Sequence, residues 1–284
     1  MTALSVNRAS VLGLGIIGSR ACSRLQHAGW QVTCWNRTPK DISGETTTPE
    51  AAIKGAAIIS IYLKDAPAVR AIVTQIEESL EPGQIVLNHA TVDLETTRWL
   101  ADICRNRGCQ FLDTPFTGSK LASASGQLLY YIGGDPDLAK QLESYLNVTS
   151  RGQLHCGQVG TATVVKLATN LISACTVQAL AESLAIATRH GVAAECLIQA
   201  VSENASASVL TAMKLPMMAV GNYETHFSLA NMAKDTRYML ALAASAGLET
   251  PGIGAVSKRM DELNANGLGD MDFSVVAQPY QQSA

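Results

Sequence analysis

The sequence predicts an α/β protein in two parts: an N-terminal doubly wound parallel sheet, then an all-helical C-terminal part, joined by a long helix. Three observations predict it. Short apolar β-like runs alternate with helical segments through the first half, a glycine-rich turn follows the first of those runs, and from about Gln158 onward the pattern is helical. Strand–helix–strand repetition with right-handed crossovers builds a parallel sheet covered on both faces.

Strands are expected at Ser10–Leu12, Gln31–Trp35, Ala57–Leu63, Gln84–Asn88, Gln110–Asp113 and Leu128–Gly133. Several are continuous apolar runs, as strands buried on both faces require. Helices are expected between them at Ser19–Ala28, Ala66–Ser79 and Leu94–Arg107, with Gly29, Gly83 and Gly108 at their ends or in the following turns. In the second half, Gly160 to His190 reads as one long helix, rich in Ala, Leu, Val, Ile and Thr and poor in charge. A helix apolar around most of its circumference must be enclosed by other elements. Further helices follow at Ala193–Glu203, Ala207–Ala219, Leu229–Ala246 and Gly254–Asn266, the last two separated by Gly247 and Pro251. The domain boundary is placed without a flexible linker, giving residues 1–157 and 158–284.

Composition narrows the function. With 284 residues, 47% hydrophobic and only 16% charged, the chain is apolar enough to predict an oligomer interface, a homodimer or homotetramer. The net charge of −3 and the lack of a basic run argue against nucleic acid or an anionic membrane as partner. The longest uncharged stretch, from Lys166 to Glu182, holds Thr169, Asn170 and Gln178 and reads as too short and too polar to span a bilayer. Seven cysteines at irregular spacing without a C-x-x-C pair suggest neither a disulfide framework nor a zinc site. They read as small buried hydrophobes in a reducing, cytoplasmic setting. Five scattered histidines give no support to a metal site.

Gly13-Leu14-Gly15-Ile16-Ile17-Gly18 is G-x-G-x-x-G between an expected strand and an expected helix. Gly13 permits the tight turn, Gly15 lets the backbone approach a pyrophosphate, and Gly18 allows close helix–strand packing. The helix N-terminus, reached through Ile16 and Ile17, offers unpaired N–H groups to the phosphates. This is the fingerprint of a Rossmann dinucleotide site. At the end of the second strand an NAD site usually carries Asp or Glu for the ribose hydroxyls. Here Asn36-Arg37-Thr38 stands instead. Arg37 can make charge-assisted bonds to a 2′-phosphate, with Asn36 and Thr38 as neutral donors, so NADP(H) is favoured.

Lys166 and Asn170 lie four apart, on one face of the long helix. An ammonium there can supply the proton and the positive charge that an alkoxide formed by carbonyl reduction needs. Equally, it can be an ordinary lysine whose stem lies on the surface and whose head reaches water.

Four ordered motifs then decide between these readings. They are Gly13–Gly18 with Asn36-Arg37-Thr38; Asp113-Thr114-Pro115-Phe116-Thr117-Gly118-Ser119; Gly157 to Asn170; and Lys234-Asp235. In these the chain resembles the β-hydroxyacid dehydrogenase family, which includes 3-hydroxyisobutyrate dehydrogenases and glyoxylate/succinic semialdehyde reductases. The ending Gly267-Leu268-Gly269-Asp270-Met271-Asp272-Phe273-Ser274 is most similar to the latter branch. The resemblance implies that Lys166 is the catalytic lysine and Asn170 the substrate-orienting asparagine. It implies that Thr91, Lys234 and Leu63 contact the cofactor, and that Thr117-Gly118-Ser119 holds a substrate carboxylate. Phe227 and Asp235 match positions bordering the active site.

The chain departs from that family at Phe116, Thr117 and Ser119, where Val, Ser and Gly are usual, and at Ala90, where Ser is common. These changes bear on substrate identity. His89, also unusual, reads as a hydrogen-bonded loop histidine. The expected activity is NADPH-dependent reduction of a small aldehyde or 2-oxo acid. Imine reductases are similar around Trp35–Pro39 but typically lack the lysine. A non-catalytic NADPH-binding scaffold is the remaining alternative.

Overall fold

The structure is a computed structural model and describes residues 7–281. It divides into two compact units, Met1–Lys166 and Leu167–Ala284, and the division falls inside the long helix.

The first unit is built on one sheet. Its strands are β1 (Arg8–Leu12), β2 (Gln31–Trp35), β3 (Ile58–Ile61), β4 (Ile85–Asn88), β5 (Gln110–Asp113), β6 (Phe116–Thr117), β7 (Leu128–Gly133) and β8 (Ser150–Gly157). The helices threaded between them are α1 (Gly18–His27), α2 (Pro49–Ile53), α3 (Ala66–Ile76), α4 (Leu94–Asn106), α5 (Lys120–Ala124), α6 (Pro136–Gln141) and α7 (Glu143–Leu146). The order is β2-β1-β3-β4-β5-β7-β6, with β8 beside β7. From β2 to β5 every pairing is parallel, in registers such as Val11↔Cys34 and Val11↔Ser60. Beyond β5 the sheet is mixed, because β7 runs antiparallel to β5 and β6 but parallel to β8. The expected doubly wound parallel sheet is therefore its first five strands, with an added mixed edge. Every residue of β3 and β4 is buried, which is why both read as mainly apolar, with Ser60 and Asn88 the polar exceptions.

Where the sequence supplies a cap, the helices start on it. Asp65 accepts from Ala68 N–H at 2.9 Å and Asp93 from Thr96 N–H at 2.7 Å, satisfying first-turn donors that the helix itself leaves free.

The second unit is helical: most of α8 (Thr161–Arg189), then α9 (Ala194–Ser202), α10 (Val209–Ala219), α11 (Leu229–Ser245), α12 (Pro251–Leu263) and a last short α13 (Gln278–Gln281). Pro251 does not separate two helices but opens α12, where its missing N–H costs no intrahelical bond. Leu167, Ala174, Val177, Ala181 and Leu184 form one buried stripe of α8 against Leu215, Met232, Met260 and Phe273. The opposite side shows Ile172 and Ile186, each more than 60% exposed. At 29 residues and mean hydropathy 1.5 over its best window, α8 is long and apolar enough to cross a membrane, by length and composition only. That corrects the expectation that this stretch is too short and too polar. About a third of that window is buried inside the structure (33%).

Candidate active site

The turn after β1 has the geometry that its glycines predict. Gly13 sits at φ +99°, and a Cβ there would lie 2.4 Å from the Tyr62 carbonyl oxygen; at Gly18 it would lie 2.0 Å from the Gly13 carbonyl oxygen. Gly15 is different: a Cβ would meet nothing within 4 Å. The two outer glycines thus let the turn pack, and the middle one faces open space. Helix α1 begins at Gly18 without a side-chain cap, so its first N–H groups are not spent on a capping residue. Leu63, half-buried, packs over Gly13, while Ile16 is 53% exposed. This cradle fits a dinucleotide pyrophosphate.

Asn36 is more committed than expected. Its Oδ1 accepts from Leu14 N–H at 2.9 Å and its Nδ2 donates to the Thr38 carbonyl at 2.6 Å, so it clasps the glycine-rich turn to the end of β2. Arg37, in contrast, is exposed, and among the described residues it pairs with no carboxylate.

Beneath the end of β4 lies a buried aromatic and polar cluster. His89 stacks on Tyr62 with ring centroids 4.3 Å apart. Its Nδ1 lies 3.0 Å from the Thr114 carbonyl, and its Nε2 lies 3.2 Å from Ser60 Oγ. A carbonyl only accepts, so Nδ1 carries the proton and Nε2 accepts from Ser60. Burial pushes this imidazole down to about 3, outweighing the opposing Thr114 bond. It is a neutral packing histidine two residues before Thr91, which is half-buried.

The loop expected to hold a carboxylate is partly used for folding. Gly118 adopts φ +137°, where a Cβ would lie 2.8 Å from Leu128 Cδ2. Ser119 Oγ accepts from Ala122 N–H at 3.3 Å and so caps α5. Thr117 lies in β6 opposite Leu129. Phe116 packs 6.3 Å from both Tyr62 and Tyr130, so its extra bulk fills the aromatic cluster.

Lys166 and Asn170 stand one turn apart on α8, as the spacing predicts. Lys166 is half-buried; Asn170 is buried. Asn170 Nδ2 donates to Asp235 Oδ2 at 2.7 Å, and Asp235 Oδ1 lies 2.9 Å from Lys234 Nζ. Asp235 is fully buried, so it orients Asn170 and Lys234 from behind them. Lys234 keeps its ammonium 5.2 Å from the Tyr238 ring. Phe227 is half-buried, and its N–H donates to Asp272 Oδ2 at 3.1 Å.

Two buried carboxyl centres escaped the sequence reading. Asp272 takes Lys214 Nζ at 2.7 Å together with the N–H groups of His226, Phe227 and Ser274. Burial pushes its carboxyl up, but Lys214 and Ser274 outweigh that and the net shift is downward. Lys214 is the single charged residue of the mainly apolar α10. The other centre is Asp113, at the end of β5, bonded to Thr163.

Known proteins place the chain further. The family model described as the NAD binding domain of 6-phosphogluconate dehydrogenase matches residues 8–161. A second, for the NAD-binding region of NADP-dependent 3-hydroxyisobutyrate dehydrogenase, matches residues 160–280. Glyoxylate/succinic semialdehyde reductase 1 of Arabidopsis thaliana is 28% identical over 275 residues, 93% of this chain and 95% of that one. The mouse cytokine-like nuclear factor N-PAC is 28% identical over 273 residues, 95% of this chain but 50% of that protein. In fold, the chain is similar to 3-hydroxyisobutyrate dehydrogenase of Mycobacterium tuberculosis, solved with L-serine (TM-score 0.89, 22% identity, 96% of this chain and 99% of that one).

Proposed function

This chain belongs to the β-hydroxyacid dehydrogenase family, and from that premise we propose that it is an NADPH-dependent reductase of a small aldehyde or 2-oxo acid. The observation that carries the reading is the polar group set into an apolar helical unit: Asn170 fixed by Asp235 at 2.7 Å, one helical turn beyond Lys166. A buried carboxylate and amide in such surroundings are costly unless paired, and here they are paired with each other and with Lys234.

When bound, the nicotinamide supplies a hydride to the carbonyl carbon. The glycine-rich turn and the start of α1 bind its pyrophosphate. Arg37 supports the 2′-phosphate, since the strand end offers no acid and Asn36 is already engaged with the turn. The Lys166 ammonium sits where charge grows on the carbonyl oxygen and gives that oxygen its proton, leaving the neutral amine. Asn170 orients the substrate through an amide whose other face Asp235 holds. Thr117 and the backbone of Gly118 take the carboxylate, with Ser119 contributing its backbone more than its capping hydroxyl.

The test is a panel of glyoxylate, succinic semialdehyde and a cyclic imine, each with NADPH or NADH, and 3-hydroxyisobutyrate in reverse with NADP+ or NAD+. Lys166→Ala should lose at least about a thousandfold in turnover while still binding NADPH. Near-normal turnover in that variant, or reduction of the imine alone, would overturn the reading. NADPH oxidation with no member of the panel would favour the scaffold role instead. The exposed Ile172 and Ile186 support a homo-oligomer through α8, which a monomeric mass by light scattering would contradict. Seven free thiols support a reducing, cytoplasmic setting, to be checked by fractionation.

A further inference from the structure

A helix leaves its first N–H groups without partners, and a nearby residue usually supplies a cap. In α8 a strand supplies it. Asp113, at the end of β5, takes the Thr163 N–H at 2.8 Å, and the Thr163 hydroxyl lies 3.0 and 2.9 Å from the two carboxylate oxygens. That hydroxyl also stands 2.9 Å from the hydroxyl of Thr97 on α4. A hydroxyl has one proton to give, so Thr163 donates to Asp113 and accepts from Thr97. All three residues are at least 97% buried. The first turn of α8 is thus fastened to β5 and α4 at a single residue, and Lys166 is three positions further along, on the neighbouring surface of the same turn.

We infer that Asp113 is a positioning residue: it fixes the rotation of the first turn of α8 and thereby sets where the Lys166 ammonium stands against the carbonyl oxygen. The inference rests on the proposed proton-donor role of Lys166. A carboxylate buried this deeply is costly, and burial raises Asp113 to about 7 even with the Thr163 and Gly160 N–H groups opposing it. An amide would fill the same space without that cost. Its oxygen would accept the Thr163 N–H, and its NH2 would donate to the Thr163 hydroxyl, which would then donate to Thr97.

The experiment compares Asp113→Ala, Asp113→Asn and Thr163→Val in the full chain, alone and with Lys166→Ala, using the best carbonyl substrate of the panel in single turnovers. Asp113→Ala is expected to lower kcat by about tenfold to a hundredfold, with the Kd for NADPH unchanged, as loss of placement by about an ångström does. Asp113→Asn should stay within about threefold of the parent, because it keeps the geometry, and Thr163→Val should fall between. In the Lys166→Ala background the Asp113→Ala loss should vanish to within about twofold, because a residue acting through the lysine has nothing left to place.

Equal losses in both backgrounds would overturn the inference, and so would failure of Asn to restore what Ala removes. If Asp113→Ala does not fold, Thr163→Val in the two backgrounds decides the question in the same way. Should Lys166→Ala itself retain turnover, the proton-donor reading is what fails, and the inference falls with it.

Discussion

Acid should loosen the first unit through His89, and the size of the effect follows from its surroundings. The imidazole is 1% exposed, gives its Nδ1 proton to a carbonyl and accepts at Nε2 from Ser60. Its folded value of about 3 lies below the unfolded 6.5. The unfolded chain therefore takes up a proton first as the pH falls. Stability from this group is complete above pH 6.5 and drains away toward pH 3, at about 1.4 kcal/mol per pH unit.

The perturbation is His89→Phe, which keeps a ring against Tyr62 but cannot titrate. At pH 7.5 the variant should be less stable by about 2 kcal/mol, the worth of two buried hydrogen bonds. Between pH 6.5 and pH 5 the wild type loses about 2 kcal/mol that the variant does not. The two should be equally stable near pH 5, with the variant ahead below that. Contributions from other groups, such as the raised Asp113, are common to both chains and cancel in the difference. Urea unfolding followed by tryptophan fluorescence is the assay, because Trp30, Trp35 and Trp99 all belong to the first unit. A stability difference that stays constant from pH 7.5 to pH 4 would refute the reasoning.

Two further outcomes are expected. Lys214→Ala should cost about 3–5 kcal/mol, because it strands the Asp272 carboxylate without its cation in a site where neither side chain is more than 2% exposed; a loss below about 1 kcal/mol in far-UV circular dichroism unfolding would contradict this. Gly13→Ala should fail to fold properly, since its Cβ would meet the Tyr62 carbonyl at 2.4 Å. Gly15→Ala should keep the parental Tm and lose NADPH affinity, a contrast that thermal melts and fluorescence titration separate.

The sheet was legible where strands are buried on both faces. The fully buried β3 and β4 lie within the expected Ala57–Leu63 and Gln84–Asn88, and Gln31–Trp35, Gln110–Asp113 and Leu128–Gly133, buried only in part, have the expected bounds. The strand β8 was not legible, because Ser150–Gly157 has two glycines, an arginine and a histidine, and only Ser150 is buried. Its strand character comes from its partner β7, which lies elsewhere in the chain. Short helices such as α2 and α5, at five residues each, are below the length at which a hydrophobic period can be read.

In the candidate site, Gly13, Gly18, Lys166 and Asn170 announced themselves by spacing. The supporting groups did not. Asp113 and Thr163 are fifty residues apart, and Lys214 and Asp272 fifty-eight, so nothing local links either pair. Asn36 was expected to meet the cofactor; the bonds it makes within the protein, to the Leu14 N–H and the Thr38 carbonyl, form a closure visible only once β1 and β2 are paired.

The seven thiols have a practical consequence. Cys22, Cys34, Cys104 and Cys109 are buried and Cys156 half-buried in the first unit, whereas Cys175 is half-buried and Cys196 exposed in the second. An alkylating reagent should mark Cys196 at once and reach the buried four only when the sheet breathes open. Mass spectrometry of timed samples would then read the opening of the first unit from its own sulfurs, against Cys196 as the exposed reference, with no label engineered in.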